Sequence, residues 1–173
     1  MNGFNPMPHP ELLKNNPNVY LSMGITAENV AKKYQLTRKD QQDFAISSHQ
    51  KASEAQRKGN FKDEIISINN CTTDGAIREN TNQQILDGLK LAFDEKGTIT
   101  AGTSSPLTDG ASATLICDEQ YAKDNNLDII ARIVSISVEG CEPEVMGLGP
   151  IGASEKALKR AELSIKDIDI VEL

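Results

Sequence analysis

Three cysteines are the residues of this 173-residue chain best suited to nucleophilic chemistry. A catalytic thiol needs an activating cation, a nearby base or a helix N-terminus that lowers its pKa. Cys117 ends an apolar run, Cys141 closes a β-rich segment and Cys71 lies in a polar stretch, and no glycine-rich turn surrounds any of them. We therefore interpret the three thiols as small core residues or incidental loop residues.

The spacing of the metal-binding residue types excludes two other kinds of site. The cysteines form no C-x-x-C pair, and the two histidines, His9 and His49, lie far apart. This spacing predicts no zinc site and no secreted disulfide framework, and it favours a reducing, cytoplasmic location. No apolar run approaches the roughly 20 residues of a membrane helix, so we expect no membrane partner.

The composition is that of a soluble globular protein with an aliphatic core. Aromatic residues make up only 4% of the chain, and tryptophan is absent. Eighteen Lys and Arg residues against 25 Asp and Glu residues give a net charge of −7. Because nucleic-acid binding needs a basic face, this balance argues against nucleic acid as a partner. An anionic ligand would have to meet local cations or backbone amides.

Residues 100–110 (TAGTSSPLTDG) combine small side chains with hydroxyl groups. Small residues let a ligand or a second backbone approach closely, and hydroxyls and free amides can hold a polar chain. The pattern alone favours a tight turn between strands over a ligand cradle, and both interpretations stay open at this point.

The elements that position this turn alternate between helix and strand. Thr37 with Asp40 resembles a capping box at the start of a long helix that ends at Gly59. This mainly helical front half leads into a β-α-β-α-β rear half, which indicates an α/β architecture. The positions that recur at helical spacing along the long helix are Phe44, Ala45, Ser48, Ala52 and Ala55. Other helices are expected over 26–34 with Thr26 as N-cap, 83–91, 118–125 with Asp118 as N-cap, and 150–161. Strands are expected over 64–68, 98–100, 111–117, 131–138 and 169–173.

Six segments of the chain carry recognisable motifs: 23–31 (MGITAENVA), 38–49 (RKDQQDFAISSH), 62–66 (KDEII), 91–111 (LAFDEKGTITAGTSSPLTDGA), 141–150 (CEPEVMGLGP) and 157–161 (ALKRA). These segments resemble motifs of the thiolase family and follow one another in the family's own order. The chain has Ile68 after Ser67, where the family usually has proline. Ser22 stands where biosynthetic thiolases carry His, and together with Thr103-Ser104-Ser105 it looks most like the degradative, fatty-acid β-oxidation branch.

The resemblance implies a fold of two similar α/β halves with a mostly helical loop domain inserted in the first. Residues 1–97 would be the loop domain, 98–125 the end of the N-terminal half and 126–173 the start of the C-terminal half. Because an apolar strand ends the sequence at Leu173, we expect the chain to be an internal fragment of a longer protein.

The resemblance also implies that the chain holds the family's coenzyme A cradle. A guanidinium suits a phosphate or a purine face, and a hydroxyl suits the pantetheine amide. For the apolar members, plain core packing is the alternative. The matching residues are Arg78 near the nucleotide, Ser105 and the Ala101 backbone at the pantetheine, Phe93, Leu107 and Met146 along the pantetheine arm, Met23 near the acyl thioester and His49 beside the cofactor.

The family's catalytic motifs (C-S-S/A-G, N-E-A-F, G-H-P and C-x-G-G-G) have no match in the chain, so the resemblance implies that the chain holds no catalytic residue. We therefore expect part of a thiolase that transfers acyl groups between an active-site cysteine and coenzyme A, in thiolysis of a 3-ketoacyl-CoA or its reverse. Coenzyme A and acyl-CoA would be substrates, with no tightly bound cofactor or metal, and the intact enzyme would be a homo-oligomer, a dimer or tetramer. The alternative is a non-catalytic thiolase-like binding or interaction module.

Overall fold

The computed structural model describes residues 7–108 and 111–173. Asp109 and Gly110, at the end of the predicted small-residue turn, lie outside the described residues. The chain divides into two compact units, of which the first is Met1–Pro106 with Glu142–Gly147 and the second is Leu107–Cys141 with Leu148–Leu173. The division at residues 97 and 125 that the resemblance implies stays a prediction.

Helices provide the regular structure of the first unit. Two short helices precede a long pair, and a fourth α-helix follows a polar loop. The bounds are α1 Pro10–Asn15, a 3₁₀ helix Pro17–Tyr20, α2 Met23–Tyr34, α3 Arg38–Arg57, α4 Gln83–Asp87 and a 3₁₀ helix Ala101–Thr103.

Capping side chains set the limits of α2 and α3. The backbone N–H of Thr37 donates to Asp40 Oδ2 (2.8 Å) and the Asp40 N–H donates to Thr37 Oγ1 (3.1 Å), which confirms the capping box. Gly59, at φ +73°, follows the end of α3 as predicted, because glycine adopts the left-handed conformation without a steric penalty. The N-cap prediction for α2 is wrong: Ser22 Oγ accepts from the Ile25 N–H (3.4 Å), so the helix begins before Thr26.

The predicted apolar face of α3 does not enter a core. The buried residues of this helix are Gln42 and Ser53, whereas the Phe44 side chain is 78% exposed. Gln42 is tied to α4, because Gln83 Nε2 donates to its Oε1 (2.5 Å). The face of α3 that carries Phe44 is therefore available to line an open space. In the described part of this unit the buried apolar residues are Ala31, Leu86 and Ile99.

A buried carboxylate joins α2 to the segment that precedes the small-residue turn. Glu28 is 8% exposed, and its two oxygens accept from the Thr98 N–H (2.9 and 3.0 Å), the Ile99 N–H (2.8 Å) and the Thr98 hydroxyl (3.2 Å). Charge-assisted bonds of this kind offset the cost of burying a carboxylate. Gly97 makes the approach possible, because a Cβ there would lie 2.2 Å from Glu28 Oε1.

The sheet of the predicted α/β architecture is not confirmed. Near the predicted strands of the first unit there are two isolated bridges, Ile68 with Cys71 and Leu91 with Thr100. A strand exists only as part of a ladder, and β-branched residues supply the propensity but not the partner. In the part of the chain that the structure describes, the predicted strands 64–68, 98–100, 111–117, 131–138 and 169–173 pair with no neighbouring strand.

The second unit is organised around two helices. Asp118 Oδ1 accepts from the N–H groups of Gln120 (2.8 Å) and Tyr121 (3.3 Å), which confirms it as the N-cap of the first of them. The bounds are α5 Glu119–Asp124, α6 Gly149–Arg160 and a 3₁₀ helix Ile165–Asp167; the 3₁₀ segment Pro143–Leu148, kinked at Val145, spans the boundary of the units.

The β-branched segment 131–138 lies against α6 through its polar side chains. The Ser135 hydroxyl donates to the Ala157 carbonyl (2.8 Å), and the Ser137 hydroxyl donates to the Ala153 carbonyl (2.5 Å). The alternate side chains of this segment, Val134, Ile136 and Val138, are exposed. The segment therefore presents an exposed apolar face, while the carbonyls of Ile136 and Val138 accept from Arg160 and Lys156 of α6.

Replacement of Glu28 by Gln tests the carboxylate anchor. The carboxamide puts an NH₂ group where an oxygen accepts from backbone N–H groups, so we expect the free energy of unfolding to fall by about 2–3 kcal/mol. Urea denaturation followed by circular dichroism measures this change. Glu64→Gln, at an exposed carboxylate of the same unit, should change it by less than about 0.5 kcal/mol. Equal effects of the two substitutions would contradict the anchor.

The capping box predicts how the stability of α3 depends on pH. The Thr37 hydroxyl, and then its backbone N–H, hold the pKa of the Asp40 carboxyl below the ordinary value of 3.8. Because the folded-state pKa is lowered, the stabilisation is present above pH 3.8 and is lost as the pH falls through the folded-state value. We expect Asp40→Asn to lower Tm at pH 7 and to leave it unchanged in strong acid. Asp63→Asn, at an exposed carboxyl, serves as control, and a Tm difference for Asp40→Asn that persists in strong acid would contradict the assignment.

Candidate functional site

The first unit contains an open cavity of about 1100 Å³. One wall is a face of α3, a second is the loop and short helix over residues 76–93, and the third is the small-residue segment 101–106. Pockets for drug-sized ligands measure about 300–1000 Å³, so this cavity suits a large or extended ligand. Segments far apart in the sequence thus meet around a single space.

The α3 wall presents side chains at helical spacing. Phe44 and Ser48 are four residues apart, as are Ala45 and His49, so all four fall on one face. This is the predicted apolar face of α3, now placed at the cavity. Asp40, one turn earlier, also lines the cavity, and its carboxylate is engaged by Thr37.

Hydrogen bonds to Thr100, which is fully buried, hold the small-residue segment in place. The Thr103 and Ser104 hydroxyls donate to the Thr100 carbonyl (3.2 and 2.9 Å), and the Gly102 N–H donates to Thr100 Oγ1 (3.3 Å). The Ser105 hydroxyl has no bond of this kind within the described ranges, and Ser105 lines the cavity. The segment thus combines a fixed backbone with a hydroxyl that is open to a ligand.

Arg38 fixes the wall formed by α4. Its Nη2 donates to the carbonyls of Leu86 (2.9 Å), Asp87 (3.1 Å) and Leu89 (2.8 Å), which close the C-terminal end of that helix. Leu86 and Leu89 line the cavity. No local sequence pattern marks this arginine, because its three acceptors are backbone atoms 48, 49 and 51 residues away along the chain.

Arg78 is the cationic residue of the cavity lining. Its backbone N–H donates to Nδ1 of His49 (3.1 Å), and its guanidinium is exposed, with no ion-pair partner among the residues that the structure describes. The next residue, Glu79, pairs with Arg57 of α3 (2.7 Å). The loop that carries Arg78 is therefore tied to α3 at two consecutive residues, and its positive charge stays available.

Phe93 lines the cavity at the end of the second wall. Its ring lies directly over Gly24, where a Cβ would come within 2.1 Å of the ring carbons. Gly24 therefore permits a contact between α2 and Phe93 that any other residue would prevent. The Phe93 ring adds a second aromatic side chain, in addition to that of Phe44, to a lining that also holds Leu36, Ile85 and Leu89.

The cavity brings together most of the residues that the resemblance assigned to a cofactor. Three of the eight lie elsewhere: Met23 is exposed at the first residue of α2, Met146 is outside the cavity, and Leu107 is fully exposed in the second unit. The cavity-lining residue Ile85 was not among those singled out. The predicted residues that line the cavity are His49, Arg78, Phe93, Ala101 and Ser105.

The thiols lie outside this site. Cys71, Cys117 and Cys141 form no disulfide and all three are exposed, so the expectation that Cys117 is buried in a strand is wrong, because that strand does not form. Within residues 7–108 and 111–173, no three His, Cys, Asp or Glu side chains come together as a metal site. None of the helices described there is long and apolar enough to cross a membrane.

Comparison with known proteins assigns the chain to a family. The model of the thiolase N-terminal domain matches residues 11–120, and that of the thiolase C-terminal domain matches residues 127–173. A 3-ketoacyl-CoA thiolase of Marinomonas sp. is 45% identical over 95% of this chain and 45% of its own length, and an acetyl-CoA acetyltransferase of Rhizobium meliloti is 46% identical over 87% and 40%.

Solved structures give the same result. A crystal structure of human mitochondrial 3-ketoacyl-CoA thiolase in complex with CoA matches with a TM-score of 0.84 and 39% identity, over 90% of this chain and 40% of that one. The chain thus spans less than half the length of the relatives it matches. Matches to both domain models, over most of the chain and in order, show that it belongs to the thiolase family.

Proposed function

We propose that the cavity of the first unit binds coenzyme A and acyl-CoA for acyl transfer of the thiolase type, in thiolysis of a 3-ketoacyl-CoA or its reverse. The observation that carries this proposal is the convergence of five predicted cofactor residues on one space. They come from α3, the 76–93 segment and the 101–106 turn, and each lines the cavity. The similar human mitochondrial thiolase was crystallised in complex with CoA, which supports the same class of ligand here.

The polar groups of the cavity suit the two ends of this ligand. The exposed Arg78 guanidinium can donate to phosphate oxygens or stack on a purine, and in a chain of net charge −7 it supplies the local cation that an anionic ligand needs. The Ser105 hydroxyl and the backbone at Ala101 suit the amides of the pantetheine arm. Phe93 supplies apolar surface in the same cavity. Met23, Met146 and Leu107 stay predictions from the family resemblance.

The role we assign to this chain is binding and orientation. An acyl transfer of this type needs a nucleophilic thiolate, a base, a proton donor and an oxyanion site. The exposed thiols of this chain lie outside the cavity, and none stands in a catalytic motif of the family. We propose that other segments of a thiolase supply these groups, while the cavity holds the coenzyme in place. Assembly as a homo-oligomer and a cytoplasmic location stay predictions.

Substitution of the two polar cavity residues tests the proposal. Isothermal titration of the 173-residue chain with coenzyme A should show binding. Arg78→Ala should raise Kd about tenfold or more, since it removes bonds to a charged group worth about 1.5–3 kcal/mol, and Ser105→Ala should raise it about two- to tenfold. The matched controls are Arg132→Ala and Ser154→Ala, exposed positions of the second unit, which should leave Kd unchanged. Absence of binding, or a Kd unchanged by both cavity variants, would overturn the proposal.

A further inference from the structure

His49 lies at the junction between the rigid α3 wall and the loop that carries Arg78. Its ring lines the cavity, and its Nδ1 accepts the backbone N–H of Arg78 (3.1 Å). We propose that His49 is a positioning residue: it acts on the nucleotide end of bound coenzyme A through Arg78, without touching the ligand. This inference rests on the proposed function, and it names which residue places the cation of the site.

The loop around Arg78 depends on few bonds to the rest of the unit. Arg78 and Glu79 are exposed, and two tethers join them to α3: the bond from the Arg78 N–H to His49 and the Arg57–Glu79 ion pair. The ion pair is solvent-exposed at both ends, and pairs of this kind contribute little to stability. The bond to His49 is also solvent-exposed, but it holds the Arg78 backbone itself, and its acceptor is a half-buried residue on a helix of 20 residues. We therefore infer that this bond is the tether that fixes the Arg78 backbone.

Two local hydrogen bonds hold the carbonyl of Arg78. The Thr81 N–H (3.1 Å) and the Thr81 hydroxyl (2.8 Å) both donate to the Arg78 carbonyl. Arg78 is therefore held on its N–H side by α3 and on its carbonyl side by its own turn. Without the acceptor at position 49, the N–H side is released to water, and ordering the loop again on binding costs affinity.

The tautomer of His49 follows from this contact. Because Nδ1 accepts a hydrogen bond, the neutral ring carries its proton on Nε2. An acceptor at the Nδ1 position is thus the property that the positioning role requires. Asn places its carboxamide oxygen close to the position of Nδ1, whereas Gln places it about one bond further out. Rescue by Asn and not by Gln is expected only if the Nδ1 contact matters.

The experiment compares His49→Ala, His49→Asn and His49→Gln, alone and combined with Arg78→Ala, by titration with three probes. The probes are coenzyme A, adenosine 3′,5′-bisphosphate and pantetheine. We expect His49→Ala and His49→Gln to raise Kd for coenzyme A and for the bisphosphate by the same factor, about two- to tenfold. His49→Asn should stay within about twofold of the parent protein, and pantetheine binding should not change.

The double variant separates positioning from direct contact. If His49 acts through Arg78, adding His49→Ala to Arg78→Ala causes no further loss of coenzyme A affinity. A further loss of the same size as in the parent background, or failure of Asn to rescue a variant whose circular dichroism is intact, would overturn the proposal. If His49→Ala is poorly folded, the comparison of Asn with Gln decides. If Arg78→Ala binds coenzyme A normally, the assignment of Arg78 and the positioning role of His49 are both refuted. If Arg78→Ala loses affinity but His49→Ala and His49→Gln bind normally, only the positioning role is refuted.

Discussion

The buried carboxylate of Glu28 is the interaction on which the first unit depends. Its oxygens accept hydrogen bonds from the backbone N–H groups of Thr98 and Ile99 and from the Thr98 hydroxyl, and none of these donors is a cation. A carboxylate buried in this way is stable only while its donors stay in place. It therefore fixes the segment over 97–99 against α2, and the adjoining small-residue turn, with Ala101 and Ser105, takes its position from there.

Polar contacts between chain segments, more than an apolar core, hold the other walls of the cavity in place. Arg38 holds the end of α4 through three carbonyls, and His49 holds the Arg78 loop through one N–H group. Both side chains come from α3, whose capping box fixes where the helix starts. This helix buries Gln42 and Ser53 on one side and leaves its apolar face to the cavity. A scaffold of this kind presents an open, polar-edged space suited to an extended ligand.

Local rules predicted three of the helix caps, because a cap is decided by residues a few positions apart, but the N-cap of α2 is Ser22 and not the predicted Thr26. Thr37, Gly59 and Asp118 all act as the sequence indicates. The predicted strands are not confirmed for the opposite reason: a ladder depends on partners far away along the chain, and a local β-branched pattern does not supply them. Of the cavity residues, Arg78 and Ser105 were found through the resemblance to thiolases. The roles of Glu28 and Arg38 were not, because their partners are backbone atoms about 50 to 70 residues away, which no local pattern records.

A ¹⁵N–¹H NMR titration of the chain with coenzyme A shows which residues the ligand reaches. We expect chemical-shift changes concentrated at the three walls of the cavity, at the amides of His49, Arg78, Phe93 and Ser105, with the second unit largely unaffected. Shift changes confined to the second unit, or none at millimolar coenzyme A while the protein remains folded, would contradict this expectation.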